Sequence, residues 1–228
     1  MDNGSVSGAG FEGQLGNVGF SSNPFTLAPD YSRSAWDLTH NLVANTLVAL
    51  PFHGNKFVEG WQLSKIGSIH TGFPFSVGNG VQVADQIYAS GQERPNLVPG
   101  FTNDNIYVRT PRQWFNPLAF SEPAAGTFGN LGRNTLIGPH TINFDGGILK
   151  TIVIPKVSES FAIQIRAEMF NVGNHPNFAL PTATIFTTQP IVSANGTLQN
   201  GTRNPNAGII TSTSTTARQM QFALKFIF

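Results

Sequence analysis

The sequence predicts an all-β protein, an antiparallel transmembrane β-barrel segment of about five strands, left open, with two long loops on one side. Three observations predict it. Only 11% of the 228 residues are charged, against about 25% in an ordinary soluble domain. Gly, Asn, Thr, Ser and Pro, which favour turns and strands over helices, fill much of the chain. The last residues, Ala217 to Phe228, alternate apolar and polar to the end of the sequence, where soluble domains usually loosen.

The first strand is expected at Asn41–Leu50, with Leu42, Ala44, Thr46, Val48 and Leu50 on one face. Pro51 to Asn55 is a short run of turn formers. The second segment runs from Phe57 to about Val77, with Trp61 and Leu63 on one face. Ile66 and Ile69 cannot both share that face, so a bulge near Gly67 is expected. An irregular stretch from about Gly78 to Pro139 follows. Such length is unusual inside a compact soluble domain but ordinary on the outer side of a large barrel.

The third segment, Thr141–Ile154, places Ile142, Phe144, Gly146, Ile148, Lys150, Ile152 and Ile154 on one face. The fourth, Phe161–Val172, places Phe161, Ile163, Ile165, Ala167 and Met169 together. A hairpin centred on Val157–Ser158 pairs Ile154 with Phe161, Ile152 with Ile163 and Ile148 with Ala167. The apolar faces then coincide, and a slip of one residue would destroy the match. Lys150 is the exception on that face, near enough to the turn to snorkel. Asp145, Arg166 and Glu168 fall on the opposite face, where they are candidates for a lumenal charge network. After a second long polar stretch, Gly173–Thr216, the closing strand sets Met220, Phe222, Leu224, Phe226 and Phe228 on one face.

Connections alternate short, long, short, long. Two inner turns and two outer loops suit a barrel whose strands are apolar outward and polar inward. A soluble β-sandwich or jelly roll also alternates, but the loop asymmetry and the greasy terminal strand weigh against it. No apolar run approaches the roughly 18 residues of a membrane-spanning helix. Five strands cannot close, because an open sheet exposes unpaired edges to lipid. The expectation is therefore a fragment lacking upstream strands and anything that fills the lumen. The start, MDNGSVSGAGFEGQLG, has no charged n-region or apolar h-region of an export signal. Residues 1–34 are expected to be an irregular N-terminal segment, and 35–228 the barrel portion.

Chemical sites are sparse. Without cysteine there are no disulfides or thiolate ligands. His40, His53, His70, His140 and His175 are scattered singly, with no metal-ligand spacing. Gly126, Gly129 and Gly132 lack the strand–turn–helix setting of a phosphate loop. No nucleophile or pocket accompanies the carboxylates, so no catalysis and no cofactor are expected. The net charge of +1 with no basic stripe gives no nucleic-acid partner. Trp114, Phe115 and Phe120 are expected to pack their loop together, with ligand contact as the other reading.

Four blocks carry a family likeness. GWQLSKIGSIHTGFPFSV (Gly60–Val77), WFNPLAF with GTFGNLGRNTLIGP (Trp114–Pro139), IQIRAEMFNVGNHPNF (Ile163–Phe178) and ARQMQFALKFIF (Ala217–Phe228) resemble, in order, the closing strands of Oar-like TonB-dependent receptors of the acidobacterial type. The sequence departs from that pattern at His70-Thr71 and at Lys65, where a small residue is usual. The resemblance implies an outer-membrane receptor of about 22 strands with an N-terminal plug and a TonB box. Such receptors import siderophores, cobalamin, glycans or peptides. It further implies that Phe228, supported by Phe226, Leu224, Phe222 and Met220, is the signal read by the barrel-assembly machinery. A surface adhesion protein on the same barrel and a soluble carbohydrate-binding sandwich are the competing functions.

Overall fold

A computed structural model describes residues 26, 28–81, 83, 93–155, 161–188, 190–192 and 198–228. Five long strands form one sheet: β1 (Asn41–Ala49), β2 (Trp61–His70), β3 (Thr141–Val153), β4 (Ala162–Phe170) and β5 (Gln219–Ile227). They are neighbours in that order, and every pair is antiparallel. The protein is all-β, with short 3-10 turns at Ala28–Asp30 and Pro117–Ala119.

The register follows the side-chain pattern. Ile152 faces Ile163 and Ile148 faces Ala167, and the ladder is prolonged where Ile154 N–H donates to the Phe161 carbonyl at 2.9 Å. The turn centre at Val157–Ser158 lies outside the described residues. On β5, Phe226, Leu224, Phe222 and Met220 face Ile163, Ile165, Ala167 and Met169. On the other side of the sheet, Leu42 faces Ile69 and Val48 faces Leu63, while Ile69 faces Ile142 and Leu63 faces Ile148. Paired residues point the same way, so one face of all five strands is predominantly apolar.

The bulge expected near Gly67 is absent. Pairing runs without a shift from Trp61 to His70 against both neighbours. Ile66 simply points to the opposite face, beside Asp145 and Asn45. Gly67 has a packing reason instead. A Cβ there would stand 2.8 Å from the Phe144 ring across the strand pair, so the glycine makes room for that ring. The second segment is also shorter than expected, since Pro74–Phe75 leaves the large sheet and pairs with Leu136–Ile137.

The chain divides into two compact units. Residues 39–71, 140–177 and 213–228 form the sheet unit. Residues 1–38, 72–139 and 178–212 form a loop unit. The stretches expected to be irregular thus build a body with its own core: Phe75, Val77, Ile106, Phe115, Phe120, Leu136 and Ile185 are almost completely buried there. Small two-stranded pairings, Asn96–Leu97 with Phe120–Ser121 and Tyr107–Thr110 with Gln113–Phe115, hold it together. Phe115 and Phe120 meet edge to face at 5.7 Å, a favoured aromatic geometry. Asn116 starts the Pro117–Ala119 turn, its side chain accepting from Leu118 N–H at 3.0 Å. An ion pair of 2.6 Å joins Arg94 to Asp30, and the Arg94 Nε also donates to the Leu131 carbonyl at 2.8 Å.

Asparagines organise the exit from β4. Asn171 and Asn174 have positive φ angles of 51° and 48°, a conformation asparagine tolerates better than most residues. The nearly inaccessible Asn177 accepts from Ile142 N–H at 2.8 Å and donates to the Ile142 carbonyl at 2.9 Å. Its amide also donates to Thr215 Oγ1 at 3.1 Å. Asn174 Oδ1 accepts from Arg218 N–H at 3.0 Å. These bonds tie the turn after β4 to the start of β3 and the approach to β5.

Candidate functional site

The sheet has two chemically opposite faces, and they are the candidate site. On the apolar face Met220, Phe222, Leu224 and Phe226 stand bare, with Phe222 72% and Leu224 58% exposed. Among the described residues of the sheet unit no second sheet or helix covers them. The Phe228 ring packs against Phe161 at 5.5 Å, although the residue remains 87% exposed. Exposed apolar side chains continue across the strands through Ile165, Ile148, Phe144, Leu63, Ile69 and Leu42. Soluble monomers rarely expose contiguous apolar patches above a few hundred Å². A surface of this extent belongs in hydrocarbon.

Two lysines interrupt that face. Lys150 is buried. Its Nζ donates to the Glu59 carbonyl beside the β1–β2 turn and lies 5.3 Å over the Trp61 ring. It reaches along the strand toward the short-turn end, where it is buried on a backbone carbonyl and not held out in water as snorkelling would have it. Lys65 Nζ sits 5.3 Å over the Phe144 ring, a cation–π contact.

The opposite face carries the polar and charged side chains, although on β1 and β2 it also exposes Val43, Leu47 and Ile66. Asp145, Arg166 and Glu168 share it, on the parity of Gln164, Gln221 and Ser64. Among the described residues no ion pair joins them. Asp145 Oδ1 accepts from Asn143 Nδ2 at 3.0 Å and from Asn171 N–H at 2.8 Å. Glu168 lies opposite Gly147 and Gln221, and Arg166 opposite Leu149 and Ala223. The Arg166 Nε is buried without a hydrogen-bond partner. Register places all three on one face.

The family match follows from this two-sidedness. The outer membrane beta barrel domain family matches residues 1–221. The chain belongs to that family. No curated protein and no solved structure matches it. The barrel strands sit in the bilayer of the outer membrane with the apolar face toward lipid, because strands enter hydrocarbon only in barrels that are apolar outward. Among the described residues the outer edges of β1 and β5 are unpaired, so this part of the barrel is not closed.

The other residues singled out in the sequence fall as follows. His40, His70 and His140 line one groove of the barrel strands together with Thr39, Asn41, Leu42, Ile69 and Thr71. Register joins them, since His70 is the cross-strand partner of both Asn41 and Thr141; their separation in sequence concealed this. Among the described residues no three His, Asp or Glu side chains gather to hold a metal. Gly129 accommodates a close backbone approach, since a Cβ there would stand 1.8 Å from the Arg94 carbonyl. Phe115 and Phe120 are core residues of the loop unit, and the Trp114 indole donates to the Ile137 carbonyl at 2.9 Å. The Tyr107 hydroxyl accepts from Ile137 N–H at 2.7 Å, and burial pushes its pKa above the ordinary value.

Proposed function

We propose that this barrel segment is the C-terminal part of a TonB-dependent receptor of the Oar-like kind, a non-catalytic importer whose loop unit contributes to ligand capture. The observation that carries the reading is the pairing of a bare apolar belt with an ordered loop body. A barrel that served only as an anchor would need no such body. The four sequence blocks support it as well: three include β2, β4 and β5, and Trp114–Pro139 falls in the loop unit. In this reading Asp145, Arg166 and Glu168 line the lumen, upstream strands pair with the open edges of β1 and β5, and a plug fills the barrel. The barrel-assembly machinery reads the closing strand through Phe228, with Phe226, Leu224, Phe222 and Met220 as its supporting face. Strand addition at the β5 edge provides the contact.

The test is uptake by cells carrying the intact receptor. Ferric siderophore, cobalamin and oligosaccharide, each radiolabelled, are the probes. Accumulation of one of them should vanish on deletion of the gene and on treatment with a protonophore. Loss of surface attachment on deletion, with all three uptakes unchanged, would establish the adhesion reading instead.

A further inference from the structure

The lipid-facing side of the sheet is not flat. A groove of about 530 Å³ opens on it, with Gly146 and Ala167 as its floor and Phe144, Ile148, Met169 and Met220 around them. Register explains the hollow. Lys65, Gly146, Met169 and Met220 are cross-strand partners in one row, and Leu63, Ile148, Ala167 and Phe222 in the next. The glycine is a gap in a row of long side chains, and among the described residues no close contact demands it. A Cβ at Gly146 would meet nothing nearer than Val172 at 3.5 Å, an ordinary van der Waals distance, whereas one at Gly67 would stand 2.8 Å from the Phe144 ring. The protein thus leaves room at Gly146 that its own atoms do not use. From there the groove reaches Val172 and Gly173, just past β4, at the end of the sheet that carries the long connections.

One wall of this apolar groove is charged. Lys65 stands there, exposed on the lipid face. Its Nζ lies over Phe144, which is nearer than Lys65 to the long-connection end of the sheet. Among the described residues no carboxylate is within ion-pair distance of it. A lysine facing hydrocarbon is costly, and an aromatic face offsets only part of that cost. A second cation, Arg218, is exposed two residues before Met220, where its N–H donates to Asn174 Oδ1. An apolar furrow with a cation in its wall and another near its mouth is complementary to an anionic lipid. The chain fills the gap, and phosphate oxygens accept charge-assisted hydrogen bonds from the cations. A zwitterionic lipid would bring a positive group of its own toward Lys65. We infer that this groove seats one phosphate-bearing anionic lipid, with an acyl chain over Gly146 and Ala167 and the phosphate at the mouth between Lys65 and Arg218.

The inference rests on the outer-membrane placement and not on the import reading, so uptake results leave it untouched. The experiment takes the intact barrel protein in detergent and titrates it with phosphatidylglycerol or phosphatidylcholine of identical acyl chains, reading bound lipid by native mass spectrometry. Phosphatidylglycerol should bind at concentrations about tenfold lower, the scale of one charge-assisted contact. Lys65→Gln should remove most of that preference and Lys65→Arg should keep it. Lys225→Gln, on the polar face, should leave it unchanged. Gly146→Leu should weaken binding of both lipids by occupying the place of the chain. Phosphatidylglycerol with a photoreactive diazirine in its acyl chain, irradiated with the unsubstituted protein, should attach mainly to the peptides that hold Gly146 and Met169, a reading that does not depend on any variant folding. Equal binding of the two lipids, an unchanged preference in Lys65→Gln, or attachment spread evenly around the barrel would overturn the seat.

Discussion

Phe222 and Phe120 are the same side chain under opposite rules. In β5 the ring projects into surroundings the protein does not supply, and in the loop unit it is sealed by Phe115, Phe75 and their neighbours. The loop unit follows the logic of a soluble domain, with apolar groups inside and polar backbone paired by turns and short ladders. The sheet unit inverts it, because the bilayer takes the place of a core. One low-charge composition serves both. What separates them is whether the apolar residues alternate on a long strand or cluster between turns.

The sharpest way to break the comparison is to remove a ring from the inside. Phe120→Ala should destabilise the loop unit by about 3–5 kcal/mol, measured as faster proteolysis of that unit, while the strands remain folded. The matching substitution outside is Leu224→Arg, near the middle of β5. A charge on the lipid face at midplane should cost about 2–4 kcal/mol, read as a lower urea midpoint for folding into vesicles. Gln221→Arg, on the polar face opposite Glu168, should change that midpoint far less.

An effect of similar size tests the asparagine tie between the strands. Asn177→Ala would leave the Ile142 N–H and carbonyl without those partners, at about 1–3 kcal/mol for each buried group left unsatisfied. Exchange protection of the Ile142 amide should fall first. The smallest effect is alkaline. The folded Tyr107 pKa is raised, so the unfolded chain deprotonates first as pH climbs through its ordinary value, about 10. Stability of the loop unit should therefore decline above that pH, and Tyr107→Phe should remove the decline while losing the bond to Ile137. A parallel decline in Tyr107→Phe would place the alkaline sensitivity elsewhere.

The apolar face was legible because a strand's side chains alternate strictly. Once Ile148, Ile152, Ile163 and Ala167 were placed, the register of β3 and β4 had one solution that put all of them on a common face. The same rule placed Asp145, Arg166 and Glu168 together. It could not say whether their charges would meet, which depends on rotamers and on competing donors such as Asn171 N–H. Gly67 misled for a related reason: a glycine in a strand marks either a bulge or a close approach, and only the Phe144 ring shows which.

By itself the sequence determined the strands, their two faces and the membrane character of the protein, since all three rest on local periodicity that each residue carries in its own type and parity. Tertiary structure alone decided that the loops possess a core, that three distant histidines line one groove, and that Asn177 bridges Ile142 and Thr215. Those arrangements depend on how segments tens of residues apart close on one another. Such closure is governed by packing and hydrogen bonding between segments, which leaves no periodic trace along the chain.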